Sequence, residues 1–204
     1  MKGILKIALG WGLVLALSMR ASAKEAGYDV NVAAGAGVSG FIEDAADATK
    51  VGGAWDLRVR VRTPAMLGFE VGYVGSINGL SDHLASTTPD GFIVSDGFEA
   101  NAVLSLLSHR SRLDPYVFLG AGYSRFDIVN GSAYNASLLR RKDDAFVVPS
   151  GLGASLVLSE KLLADARATY RAIFDEGLIY PSGRDHESAN ISQWGVTARV
   201  AYRF

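Results

Sequence analysis

The sequence predicts an all-β chain, a single eight-stranded antiparallel β-barrel that spans a membrane. Three observations predict it. Eight segments alternate apolar and polar residues with a period of two, as a strand does when its two faces meet different surroundings. The connections between these segments alternate short and long. The polar faces carry arginines at every second position, as in Arg58, Arg60 and Arg62, which a dry hydrophobic core would not accept.

A leader precedes the strands. Lys2 and Lys6 form a positive stretch, the run from Ile7 to Leu17 is apolar, and Ala21-Ser22-Ala23 reads as a cleavage site. Residues 1–23 are therefore expected to be a signal peptide and residues 24–204 the barrel domain, about 180 residues and enough for one domain. The apolar run is short for a membrane helix. Loss of Lys2, Lys6 and Arg20 leaves 17 basic against 21 acidic residues, a formal charge of −4. That balance argues against nucleic acid as a partner. The chain has no cysteine, which excludes disulfides and thiolate metal sites.

The elements follow in order. Val30, Val32, Ala34, Ala36 and Val38 share one face of the first segment, with Asp29, Asn31, Gly35, Gly37 and Ser39 on the other. In the second, Trp55, Leu57, Val59 and Val61 alternate with Asp56, Arg58, Arg60 and Arg62. The third sets Leu67, Phe69, Val71 and Tyr73 against Gly68, Glu70 and Gly72. The fourth, from about Gly97, sets Phe98, Ala100, Ala102 and Leu104 against Glu99, Asn101 and Ser105. The fifth follows Pro115, with Val117, Leu119, Ala121 and Tyr123 opposite Gly120, Gly122 and Ser124. Leu152, Ala154 and Leu156 mark the sixth, against Gly151, Gly153 and Ser155. In the seventh, Ala164, Ala166, Ala168 and Tyr170 oppose Asp165, Arg167, Thr169 and Arg171. The eighth alternates Trp194, Val196, Ala198, Val200, Tyr202 and Phe204 with Gly195, Thr197, Arg199, Ala201 and Arg203.

Short connections are expected at Thr63 to Met66, Ser108 to Asp114 and Ser159 to Lys161, and long polar ones at Phe41 to Val51, Asn78 to Ser95, Ile128 to Ala145 and Asp175 to Asn190. Short turns on one side and long loops on the other are the asymmetry of outer-membrane barrels. Trp55, Phe69, Tyr73, Phe98, Tyr123, Tyr170, Phe174, Trp194, Tyr202 and Phe204 fall near the ends of the apolar faces, where aromatic girdles sit. Small residues with interspersed charges on the other face suit a narrow lumen rather than the solvent face of a soluble barrel.

The strand from Trp194 to Phe204, the segment Pro115-Tyr116-Val117-Phe118-Leu119-Gly120-Ala121-Gly122-Tyr123 and the Ala21-Ser22-Ala23 site together resemble the small bacterial outer-membrane barrels typified by the OmpA transmembrane domain and OmpX. The resemblance implies residence in the bacterial outer membrane. It implies contact with outer-membrane lipid and lipopolysaccharide, and recognition by the barrel-assembly machinery. In that superfamily the assembly signal is a terminal aromatic with apolar residues at alternate positions before it, here Phe204, Tyr202 and Val200.

Candidate sites divide into decoys and one constellation. Gly35-Ala36-Gly37-Val38-Ser39-Gly40 has dinucleotide-loop spacing but lacks the helix and parallel strands such a site needs. His186-Glu187-Ser188 loosely resembles the His-x-Ser pair of lipid A deacylases, though in a polar loop without a fixed nucleophile neighbour. No metal-ligand spacing appears, and no cofactor is expected. The constellation is inward: Arg58, Arg60, Arg62, Arg167, Arg171 and Arg199 are expected to face Asp29, Asp56, Glu70, Glu99 and Asp165 across the lumen. In an eight-stranded barrel side chains fill the interior, so these charges must pair. The expected role is structural or surface-interacting, with the barrel as anchor and the four long loops as the exposed, ligand-binding surface. The alternatives are a narrow gated pore for ions or small solutes and, with less to support it, a lipid A-modifying enzyme.

Overall fold

The computed structural model describes residues 28–42, 46, 49–80, 91–107, 111–129, 142–174 and 191–204. The expected leader lies outside them. Eight strands run in order: β1 (Asp29–Ile42), β2 (Gly52–Arg62), β3 (Leu67–Gly79), β4 (Phe92–Ser105), β5 (Leu113–Val129), β6 (Lys142–Val157), β7 (Leu162–Phe174) and β8 (Ile191–Arg203). Each pairs antiparallel with its sequence neighbour, and β1 pairs with β8, so the sheet closes. Closure removes the unpaired edges that lipid cannot satisfy.

The seam joins the outward rows of the first and last strands: Val32 lies opposite Tyr202, Ala34 opposite Val200, Ala36 opposite Ala198 and Val38 opposite Val196. The Phe204 amide donates to the Val30 carbonyl at 3.0 Å and extends the ladder by one bond. One residue of slip would exchange lipid-facing and lumen-facing sets on the whole strand.

The outer face carries Phe69, Val71, Phe98, Leu119, Leu152 and Val200, all more than half exposed. This surface is stable only against hydrocarbon. Toward the long-loop end, cross-strand neighbours build a belt: Tyr73 beside Phe98, Phe98 beside Tyr123, Tyr123 beside Phe146, Phe146 beside Phe174, and Tyr170 beside Trp194. Phe92 and Phe146 join the outward aromatics beyond those the sequence marks.

Several boundaries differ from expectation at the long-loop end. β1 runs on through Phe41 and Ile42, β4 starts at Phe92 rather than near Gly97, and β5 and β6 reach 17 and 16 residues. On the short-turn side Leu113 and Asp114 belong to β5 rather than to the preceding turn. The long-loop extensions escape the alternation rule because the polarity reverses there. Phe41, Phe126, Ala145, Val147 and Ile173 point inward as one buried apolar cluster, while Arg125 and Asp144 point outward and pair in the open.

The glycine-rich stretch from Gly35 to Gly40 is plain strand, paired on both sides. Its glycines make room: a Cβ at Gly35 would overlap the Arg199 side chain. Gly72 plays the same part beside Arg58, whose Cγ lies 2.6 Å from where its Cβ would be.

Candidate functional site: a charged lumen

Among the described residues the buried charged side chains all face inward, beside the bulky Val103, Tyr116 and Phe118, so the chemistry lies inside the barrel. At its centre Glu70 on β3 and Glu99 on β4 receive the arginines of β2 and β7. Arg58 donates from Nη1 to Glu70 Oε1 at 3.1 Å, from Nη2 to Glu99 Oε2 at 2.8 Å, and from Nε to Asp56 Oδ2 at 3.2 Å. Arg60 binds Glu70 Oε2 through Nε at 2.9 Å and Nη2 at 2.7 Å. Arg167 Nη1 reaches Glu70 Oε1 and Arg171 Nε reaches Glu99 Oε1, each at 2.5 Å.

A second knot lies beside the first. Arg199 on β8 donates to Asp165 on β7 through Nε at 2.8 Å and through Nη2. Asp165 also accepts from Ser155 Oγ at 2.6 Å and from the Tyr116 hydroxyl at 3.1 Å. Two guanidinium planes lie over aromatic rings, Arg60 over Tyr116 at 4.4 Å and Arg167 over Phe118 at 3.3 Å. Such stacking stabilises cations that have left water. Arg58, Arg167, Glu70 and Glu99 are each at most 2% exposed. Ion pairs this deep hold only when every charge has a partner.

Three layers surround this centre. Toward the loops, hydroxyls and amides form a neutral ring: Ser76 meets Ser95 at 2.7 Å, Gln193 Nε2 donates to Ser76 at 2.9 Å, and Asn78 Nδ2 donates to the Ser39 carbonyl at 2.9 Å. A cavity of about 20 Å³ lies among them, room for about one water. Beyond it lies the buried apolar cluster of Phe41, Phe126 and Ile173. Toward the turns, Arg62 Nη1 pairs with Asp114 Oδ2 at 2.9 Å beside a cavity of about 60 Å³.

Nine of the eleven expected lumen residues thus come together, with two exceptions, Arg62 and Asp29, and additions from outside the set. Arg58, Arg60, Arg167, Arg171, Arg199, Asp56, Glu70, Glu99 and Asp165 form the central network. Arg62 faces the lumen but takes its partner, Asp114, from outside the expected set. Asp29 lines the turn-side cavity and enters none of these pairs. Asp114 is absent from the expected set because the alternation places it in the turn before Pro115, whereas it is the second residue of β5. Tyr116 is absent because bulky aromatics on the inward face of β5, Tyr116 and Phe118 together, break the small-and-polar pattern that marks a lumen face. Among the described lumen side chains, Arg58, Arg60, Arg62, Arg167, Arg171, Arg199 and Arg203 face Asp29, Asp56, Glu70, Glu99, Asp114 and Asp165. This is seven positive charges against six negative.

His83, His109 and His186, and with the last the His186-Glu187-Ser188 triplet, lie outside the described residues. Among the described residues no group of acidic or histidine side chains is arranged to hold a metal ion.

Residues 10–204 match the model of a family described as the outer membrane protein beta-barrel domain. No curated sequence matches the chain. Solved structures share the fold at low identity. Neisserial surface protein A is 16% identical, with a TM-score of 0.59 over 87% of this chain and 97% of its own. The attachment invasion locus protein of Yersinia pestis, in complex with the heparin analogue sucrose octasulfate, is 15% identical, with a TM-score of 0.57 over 87% and 99%. A major outer membrane protein from Thermus thermophilus is 14% identical, with a TM-score of 0.60 over 87% and 99%.

Proposed function

The chain belongs to the outer-membrane β-barrel domain family and resides in the bacterial outer membrane, and on that premise we propose that it is a closed anchor that displays its four long loops at the cell surface. The observation that carries this reading is the lumen. Arg58, Glu70, Glu99, Arg167 and Arg171 bind one another across the barrel from β2, β3, β4 and β7, and an apolar cluster lies above them on the loop side. A conducting path needs a continuous column of water. Among the described residues the two polar spaces are separate and small, with the ion-pair layer between them.

In this reading the barrel acts as a scaffold rather than as an enzyme. The outer face meets membrane lipid and lipopolysaccharide, the loops meet an extracellular ligand, and Phe204, Tyr202 and Val200 address the chain to the assembly machinery. The leader, residues 1–23, exports it. The fold is shared with an attachment protein, which puts a surface-interaction role within the range of the frame. A fold alone does not assign it.

Two measurements test the proposal. The refolded protein in planar bilayers is expected to be electrically silent; steady unitary currents in the unmodified chain would overturn the closed lumen. Substituting Arg58 and Arg60 with serine should then open measurable leak. The chain has no cysteine, so Ser137→Cys in the third long loop provides a unique label site. It should react with a membrane-impermeant maleimide on intact cells, whereas Ser111→Cys on the short-turn side should react only after permeabilisation. The reverse pattern would overturn the loop assignment.

A further inference from the structure

The turn-side chamber differs from the loop-side one in what surrounds it. At about 60 Å³ it is the larger space, lined by Arg60, Arg62, Arg203, Asp29, Asp114 and Ser105 among others. Arg60 is committed to Glu70. Arg62 spends only Nη1, on Asp114. Its Nε and Nη2 are buried with no partner, and so is Nε of Arg203.

Those two free donors of Arg62 form one edge of the guanidinium plane. That edge is the fork that receives two oxygens of a carboxylate or a phosphate. A second observation points the same way. Arg203, on β8, brings a second guanidinium to the same chamber, again with a buried donor that has no partner. Of these two cavities among the described residues, the turn-side one has the room and the idle donors together.

We propose that the turn-side chamber binds a small oxyanion, a carboxylate or phosphate group entering from the short-turn side. The Nε–Nη2 edge of Arg62 takes two of its oxygens, after a swing of the side chain about its bond to Asp114, and Arg203 Nε supplies a third donor. On the loop side the described residues place the buried apolar Phe41 and Phe126 between this chamber and the loops. The acidic neighbours limit the site without closing it. Asp114 Oδ2 is already held by Arg62 and by Ser105 Oγ at 3.2 Å. Its Oδ1 has no partner and can accept from a protonated phosphate oxygen or a water carried in with the anion. Asp29 is half-buried at the mouth.

The test titrates the refolded full chain in detergent with inorganic phosphate and, separately, with sodium acetate, at constant ionic strength in chloride. Saturable binding of either is the expected result. Tighter phosphate assigns a phosphate ligand, and tighter acetate a carboxylate ligand. Arg62→Lys keeps a cation beside Asp114 but lacks the fork, and should weaken binding at least about tenfold. Heat-modifiable gel migration shows whether the variant is folded. Should it fail to fold, Arg203→Gln serves in its place and should also weaken binding. Arg125→Gln, on the outer surface, should leave it unchanged. The absence of saturable binding would overturn the proposal. Equal binding by the unmodified chain and by folded Arg62→Lys or Arg203→Gln would also overturn it and indicate an adventitious ion only. Neither failure bears on the closed-anchor reading, which conductance and surface labelling test separately.

Discussion

Strand β5 passes through two environments, and the polarity of its two faces reverses between them while its alternation continues unbroken. Up to Tyr123 the outward residues Val117, Leu119 and Tyr123 are exposed to the exterior, while Gly120, Gly122 and Ser124 face a charged lumen. Two residues further on, Arg125 points outward and Phe126 is buried inside. The same reversal occurs on β6, where Asp144 is outside and Ala145 inside. The lower zone is inside out because its exterior meets hydrocarbon. The crown has the ordinary polarity of a soluble barrel because its exterior meets water. Burial thus sorts residues by what lies outside them, and the barrel wall itself has no preferred polarity.

The largest effect should come from breaking the lower zone from within. Glu70 accepts hydrogen bonds from Arg58, Arg60, Arg167 and Asn101. Glu70→Gln removes the shared negative charge and leaves three buried arginines short of a partner. The expected loss is about 3–5 kcal/mol, measured as a lower urea midpoint for the barrel in lipid vesicles. An unchanged midpoint would mean that the network fills space without holding the barrel together.

A pair of matched substitutions tests the boundary between the zones. Leu119 lies on the lipid face of the lower zone and Val129 on the outer face of the crown, and both are exposed. Leu119→Arg should cost about 2–4 kcal/mol if it stands near the bilayer midplane. Val129→Arg should stay within about 0.5 kcal/mol, as surface changes in water do. Equal costs at the two sites would mean that β5 does not leave the membrane where the aromatic belt indicates.

The legibility of the sequence divides along the same boundary. Alternation reports polarity relative to one exterior, so it located all eight strands where that exterior is lipid. It lost β1 beyond Gly40, β4 before Gly97 and β5 beyond Ser124, where apolar residues move inside. For the lumen, residue type and parity were enough to place nine charged residues in one network. They did not identify who pairs with whom, because pairing depends on the register and on reach across the barrel. Arg62 is the example: its partner Asp114 on β5 lies three strands away around the barrel in one direction and five in the other. Tyr116, which joins Arg60, Arg199 and Asp165, was invisible for the same reason.

A smaller effect is expected on the outer surface of the belt. The indole of Trp55 lies over Gly75, and a Cβ there would overlap the ring. Gly75→Ala should displace the indole, shift its fluorescence and cost about 1 kcal/mol by overpacking. Gly53→Ala is the matched control, because its Cβ would meet only Ile77 Cγ2 at 3.8 Å. A spectrum unchanged by Gly75→Ala would indicate that Trp55 does not rest on the sheet.

The smallest effect belongs to the crown, at a contact that looks as good on paper as any in the lumen. Arg125 Nε lies 2.8 Å from Asp144 Oδ1, the same length as the bond from Arg58 Nη2 to Glu99. The surroundings differ: the two side chains are 53% and 41% exposed, against 1% and 0% for the lumen pair. Water and salt screen the outer pair, and either partner left alone is solvated at once. Arg125→Ala should therefore leave the urea midpoint where it was, whereas Arg58→Ala should move it nearly as far as Glu70→Gln does, since Glu70, Glu99 and Asp56 all lose a donor. A costly Arg125→Ala would place that pair in lipid rather than water, and the crown would then have to be redrawn as part of the membrane zone.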